Sequence, residues 1–110
     1  MKLPNVDRAI IDAEKIRDYL LSESHVVGRF KAAFFARLGY SRGAWERLAQ
    51  DLLILAHTGS GVPGKPSAFG LRFEVDGILI GPTGRSAEVR TVWMVRATED
   101  VPRSITAFPR

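Results

Sequence analysis

Between Thr58 and Ala68 the hydrophobic pattern of this chain changes its period, and that change leaves few folds open. Before the break, apolar residues recur at helical spacing; after it, they alternate every second residue. The stretch itself, Thr-Gly-Ser-Gly-Val-Pro-Gly-Lys-Pro-Ser-Ala, reads as a loop. Neither half can bury its apolar face alone. The pattern therefore predicts an α+β fold, three N-terminal helices packed on an antiparallel sheet of three to four strands, as one domain over residues 1–110.

Three helices are expected. Asp12 is placed to cap the first, Ala13 to Leu21, in which Ile16, Tyr19 and Leu20 share a face. Ala9-Ile10-Ile11 before it reads as a short edge strand. A loop over Ser22 to Val26 enters the second helix, which Gly39 ends in a left-handed cap. Val27, Phe30, Phe34 and Leu38 share one face of that helix, and Lys31 falls inside the same stripe. Ser41 caps a third helix that runs to about His57 with a continuous apolar stripe through Leu48, Leu52 and Leu55; Trp45 reads there as a packing anchor.

Strands follow. Leu71, Phe73 and Val75 oppose Arg72, Glu74 and Asp76, with Gly77 reading as a bulge before Ile78-Leu79-Ile80. Gly81-Pro82-Thr83-Gly84 is a turn. In the next strand, Glu88 to Arg96, the residues Val89, Thr91, Trp93 and Val95 face one way. Arg103 to Phe108 forms the last strand.

Composition narrows the chemistry. The chain has no cysteine, which excludes a disulfide framework, a thiolate zinc site and a cysteine nucleophile. No cluster of His, Asp and Glu has metal-ligand spacing, so neither metal nor other cofactor is expected. The glycines of residues 58–68 do not make a P-loop, because no strand precedes them and no Gly-Lys-Ser/Thr helix follows. The longest purely apolar run, Leu52 to Ala56, cannot span a bilayer. With no apolar signal core at the N-terminus, the expected place is the cytoplasm, away from membranes. Sixteen Lys and Arg against twelve Asp and Glu permit a polyanionic partner without requiring one.

Two residues stand out from this frame. His25 lies at the entrance of the second helix, where unpaired backbone N–H groups favour anions. It reads either as an acid–base group or as a helix-entry residue capping backbone. Lys31 reads either as a phosphate clamp or as a lysine whose stem packs while its ammonium snorkels out. His57, at a helix end, suits the helix dipole and is assigned no function.

Three blocks carry a resemblance. They are Asp18-Tyr19-Leu20-Leu21 through His25 and Gly28 to Lys31-Ala32 and Leu38-Gly39-Tyr40; Gly81-Pro82-Thr83-Gly84-Arg85 through Val89-Arg90-Thr91-Val92-Trp93; and Pro102-Arg103-Ser104-Ile105-Thr106-Ala107-Phe108-Pro109. Over nearly its whole length the chain resembles a family of small bacterial domains of unknown function, found alone and at the C-termini of phage-head and polymorphic-toxin proteins. That family in turn resembles the barnase–RelE-like toxin ribonucleases. Val26, Ser104 and Phe108 depart from its usual proline, leucine and tyrosine.

The resemblance implies metal-independent cleavage of RNA, which needs a base, an acid and cations around the phosphate. On this reading His25, Lys31, Arg90 and Thr106 are catalytic, and Arg103 and Thr91 bind substrate. Arg90 and Arg103 lie on successive strands, and strand register decides whether the threonines join them. Glu74 is a reserve base. Three functions stay open: a ribonuclease-like toxin, a non-catalytic nucleic-acid-binding module, and an interaction domain of a toxin–antitoxin or immunity system. The expected partners are accordingly RNA and a cognate antitoxin or immunity protein.

Overall fold

The computed structural model describes residues 2–22, 24 and 28–110. A short 3₁₀ turn, Val6–Arg8, leads to helix α1, Ala13–Lys15, which runs on into a π-helical segment, Ile16–Leu20. Helix α2 spans Gly28–Arg37 and helix α3 spans Trp45–Thr58. Four strands follow: β1 (Ser60–Pro63), β2 (Gly70–Ile80), β3 (Ser86–Arg96) and β4 (Pro102–Pro109). They form one antiparallel sheet in sequence order, so the class is α+β, as the change of period predicts.

The helices cover one face of the sheet. Phe73, Val75, Leu79, Val89 and Trp93 meet Leu48, Leu52 and Leu55 of α3, with Phe35 and Leu38 of α2 and Ile16 and Leu20 completing the core. Strand alternation supplies this face, as expected for β2 and β3. Val89 and Trp93 are buried, whereas Glu88 and Arg96 are exposed. Tyr40 donates a 2.6 Å hydrogen bond to Asp51, which ties the segment after α2 to α3.

Several local expectations need correction. The stretch Thr58–Ala68 is not all loop, because Ser60–Pro63 pairs with Phe73–Asp76 as an edge strand. Four residues containing glycine and proline carry too little alternation to announce a strand; pairing with β2 imposes it. The second helix is rotated relative to the predicted stripe. Phe35, Leu38 and Ala32 are buried, Phe34 is half-buried, and Phe30 is 69% exposed. Lys31, Phe35 and Leu38 stand at i, i+4 and i+7, so this rotation draws Lys31 toward the protein.

Gly77 is not a bulge, since the β2–β3 register runs unbroken through Gly77 opposite Val89. Its lack of a side chain serves packing: a Cβ there would come 2.9 Å from Leu55 Cγ on α3. The irregularity lies instead in the β3–β4 pairing, where the register shifts between Val92, opposite Thr106, and Trp93, opposite Ser104. Neither Asp12 nor Ser41 makes the expected side-chain cap. Asp12 instead faces Arg103 at 3.5 Å. The edge strand expected at Ala9-Ile10-Ile11 reduces to one parallel bridge between Ile10 and Arg103. Gly39 does adopt the left-handed conformation, with φ of 99°.

Candidate functional site

Lys31 gathers the site. Its position in the inward-turned stripe of α2 carries its ammonium to the edge strand β4. There Nζ donates to Tyr19 Oη at 2.6 Å and to Thr106 Oγ1 at 2.9 Å. The same ammonium lies 4.7 Å from the centre of the Tyr19 ring and 5.9 Å from that of Phe108. Two aromatic faces and two hydroxyls thus hold one cation in a half-buried setting. Beside it opens a cleft of about 530 Å³ lined by Glu14, Lys15, Tyr19, Ile105 and Thr106.

Tyr19 belongs to this group although its sequence position suggested only core. It stands in the π-helical segment, where the Leu21 N–H reaches back five residues to the Ile16 carbonyl at 2.8 Å. π-turns of this kind are frequent at functional sites. Arg42 braces the segment from outside, donating to the Arg17 carbonyl at 3.1 Å and to Asp18 at 2.9 Å. Held between Arg17 and Arg42, the Asp18 carboxyl is lowered to about 2. Hydrogen bonding from Lys31 lowers the Tyr19 phenol below its ordinary range against an opposing effect of burial, and Thr106 adds to the lowering. A signal for Tyr19 did exist in the sequence: a tyrosine in an apolar stripe needs a partner for its hydroxyl.

Register answers the question left open for the strands. Arg90 stands opposite Phe108, Val92 opposite Thr106, and Met94 opposite Arg103. Arg90, Thr106 and Arg103 therefore share the outer face, and Thr91 turns to the core. Thr91 is buried, donates to the Val75 carbonyl at 2.7 Å and accepts from Trp93 Nε1 at 2.8 Å. Its hydroxyl is occupied in holding Trp93.

Both arginines are engaged by carboxylates. Arg90 lies 2.9 Å from Asp76 and 3.0 Å from Glu74. Arg103 lies 2.9 Å from Glu99 and 3.5 Å from Asp12. The structure thus joins Lys31 and Thr106 directly and sets Arg90 and Arg103 on the same face within ion pairs of their own. Glu74, the reserve base, is a partner of Arg90. His25 lies outside the described residues. Among the described residues no three His, Asp or Glu side chains are placed to hold a metal ion.

Comparison with known families matches residues 2–110 to the family described as Domain of unknown function (DUF6883). The chain belongs to the DUF6883 family. No curated protein matches it. Among solved structures, this DUF6883 domain is similar to a chain of a contact-dependent growth inhibition toxin–immunity protein complex from Klebsiella pneumoniae 342. The TM-score is 0.72 at 19% identity, over 96% of each chain. At that identity the likeness establishes a shared fold. No helix among the described residues is long and apolar enough to cross a membrane.

Proposed function

We propose that this DUF6883 domain is the toxin component of a growth-inhibition system and cleaves RNA phosphodiesters without a metal. The observation that carries the proposal is the Lys31–Tyr19–Thr106 group at the mouth of a cleft. Its likeness to a chain of a toxin–immunity complex, and the resemblance to barnase–RelE-like ribonucleases, support the same reading.

In the proposed reaction the ribose 2′-oxygen attacks phosphorus and the bond to the 5′-oxygen breaks, leaving a 2′,3′-cyclic phosphate. His25 accepts the 2′-hydroxyl proton as base. Tyr19 gives its proton to the departing 5′-oxygen, helped by the two donors that stabilise its phenolate. Lys31 and the Thr106 hydroxyl face the charge that develops on the non-bridging oxygens. Arg90 and Arg103 contribute when phosphate competes for them with their carboxylates. A cognate immunity protein that covers the cleft is the proposed protein partner, and the cytoplasm the proposed place of action.

Cleavage of a single-stranded RNA by purified protein, with chelator present, tests the reading. Lys31→Ala, Tyr19→Phe and His25→Ala should each lower the rate about 10²- to 10⁴-fold. Circular dichroism identifies any variant that fails to fold. Cleavage at the wild-type rate by folded Lys31→Ala and Tyr19→Phe would overturn the mechanism. Binding of RNA without cleavage by wild type would favour the non-catalytic module instead.

A further inference from the structure

We propose that Phe69 and Met94 form a stacking subsite for a base of single-stranded RNA, farther along the outer face from the Lys31 cleft. The inference rests on the RNA reading above and concerns a surface that the catalytic group does not use.

Phe69 is 78% exposed, and its exposure is built in. It sits at the tip of a tight turn in which Ser67 and Gly70 exchange backbone hydrogen bonds at 3.0 and 3.2 Å. The Ser67 hydroxyl accepts from the Phe69 N–H at 3.2 Å, and the Phe69 carbonyl accepts from Ala97 at 2.9 Å. Gly70 has φ of 140°, and a Cβ there would collide with the Val95 carbonyl. Only glycine fits this bend. The result is an aromatic ring presented on a pinned backbone beside Met94, Arg96 and Ala97, with which it lines a shallow, mostly apolar pocket.

The charge around this pocket selects the occupant. Met94 stands directly across from Arg72 on β2 and from Arg103 on β4. Among the described residues Arg72 and Lys65 take no part in the ion pairs of this face, and Gly64 donates to the Arg72 carbonyl at 2.7 Å, which places Lys65 beside it. The nearby Glu99 is already held by Arg103 and approached by Arg96. An exposed ring with unpaired cations alongside suits a base and its phosphates. Spacing agrees: Thr106 stands across from Val92, and Met94 is the next residue of β3 on that face, about 7 Å on. A strand whose phosphate lies at Lys31 and whose chain follows β3 past Met94 can lay a base farther along on Phe69, which is level with Ala97, about 17 Å on from Val92.

The chain has two methionines, Met1 and Met94, so methyl-labelled methionine gives a simple spectrum in which Met94 reports the pocket. A short single-stranded 2′-O-methyl RNA, which cannot be cleaved through its 2′-oxygen, is titrated into wild type, Phe69→Ala, Phe69→Trp, Arg72→Ala and Lys31→Ala. We expect the Met94 methyl to shift on addition of single strand and much less with duplex. Phe69→Ala should weaken binding about 5- to 150-fold, and Phe69→Trp should keep it. Arg72→Ala should flatten the salt dependence by about one unit of slope. In Lys31→Ala the Met94 shift should persist while cleavage of ordinary RNA is lost, which separates this subsite from the catalytic reading. A silent Met94 methyl, or equal affinity in folded wild type and Phe69→Ala, would overturn the subsite even if cleavage stands.

Discussion

The ammonium of Lys31 donates to the hydroxyl of Tyr19 at 2.6 Å and also lies 4.7 Å from the centre of the same ring. One lysine thus contacts both the acidic atom and the π-face of one tyrosine, from twelve residues away. This contact favours the phenolate and sets Tyr19 apart from Tyr40, the other tyrosine of the chain. Tyr40 is shifted the opposite way: burial raises its phenol well above the ordinary range, and its hydrogen bond to Asp51 adds to the rise.

An ultraviolet titration of the folded protein should therefore resolve two steps, Tyr19 below pH 10 and Tyr40 well above it. Lys31→Met should move the first step upward and leave the second in place. The sign for stability follows from Tyr40. Its folded pKa is raised, so its contribution is complete below about pH 10, the ordinary tyrosine value, and declines as pH climbs toward the folded value. Tyr40→Phe should cost about 1–3 kcal/mol at neutral pH in denaturant melts and make alkaline unfolding less steep. A single step near pH 10 accounting for both tyrosines would contradict this assignment.

His57 supplies a second titration, unrelated to the cleft. Its Nδ1 donates to the Leu53 carbonyl at 2.9 Å and its Nε2 lies 3.0 Å from an Asp7 carboxylate oxygen. Both contacts together suit the imidazolium, and the backbone bond, followed by Asp7, raises the His57 pKa above its ordinary value. A raised folded pKa gives stability that is complete below about pH 6.5 and is lost as pH rises through the folded value. We expect the thermal midpoint to fall modestly from pH 6 to pH 8, because both side chains are largely exposed. His57→Gln should remove that slope, and Asp7→Asn should reduce it while the Leu53 bond remains. An unchanged slope in both variants would mean that other groups produce it.

The two halves of the fold differed in how plainly they could be read. Alternation in β2 and β3 named the buried face correctly because a two-residue period leaves no ambiguity about sides once one face is apolar. Helix α2 was harder. The stripe read from the sequence, Val27, Phe30, Phe34 and Leu38 with Lys31 inside it, could centre on Phe30 and Phe34 or on Lys31 and Phe35, and only packing chooses between them. That choice exposes Phe30 and brings Lys31 to Tyr19. The candidate site was thus half legible: Lys31 and Thr106 stood out as residues, but Tyr19 was concealed as one more apolar position in the first predicted helix. Whether Arg90, Arg103 and the threonines share a face depended on the β3–β4 register shift, which local sequence does not encode. β1 was missed because its pairing with β2, rather than its own composition, makes it a strand.

Gly77 gives the most direct test of how the helical layer sits on the sheet. It occupies mid-strand in β2, opposite Val89, where glycine ordinarily weakens a strand. The compensation is close approach: α3 lies so near that an added Cβ would stand 2.9 Å from Leu55 Cγ and 3.3 Å from both its methyls. Leu55 is itself buried against Ala56 and the sheet core, so its side chain has little room to withdraw. Gly77→Ala should therefore destabilise the domain by about 1–3 kcal/mol despite the better strand propensity of alanine. Leu55→Ala alone should cost about 2–5 kcal/mol through the cavity it leaves. In the double variant the new methyl enters that cavity, so the two costs should sum to more than the measured loss, with a coupling of about 0.5–3 kcal/mol. Denaturant midpoints of the four proteins measure this cycle. Strict additivity would show that α3 does not rest on Gly77 and that the glycine serves the strand alone.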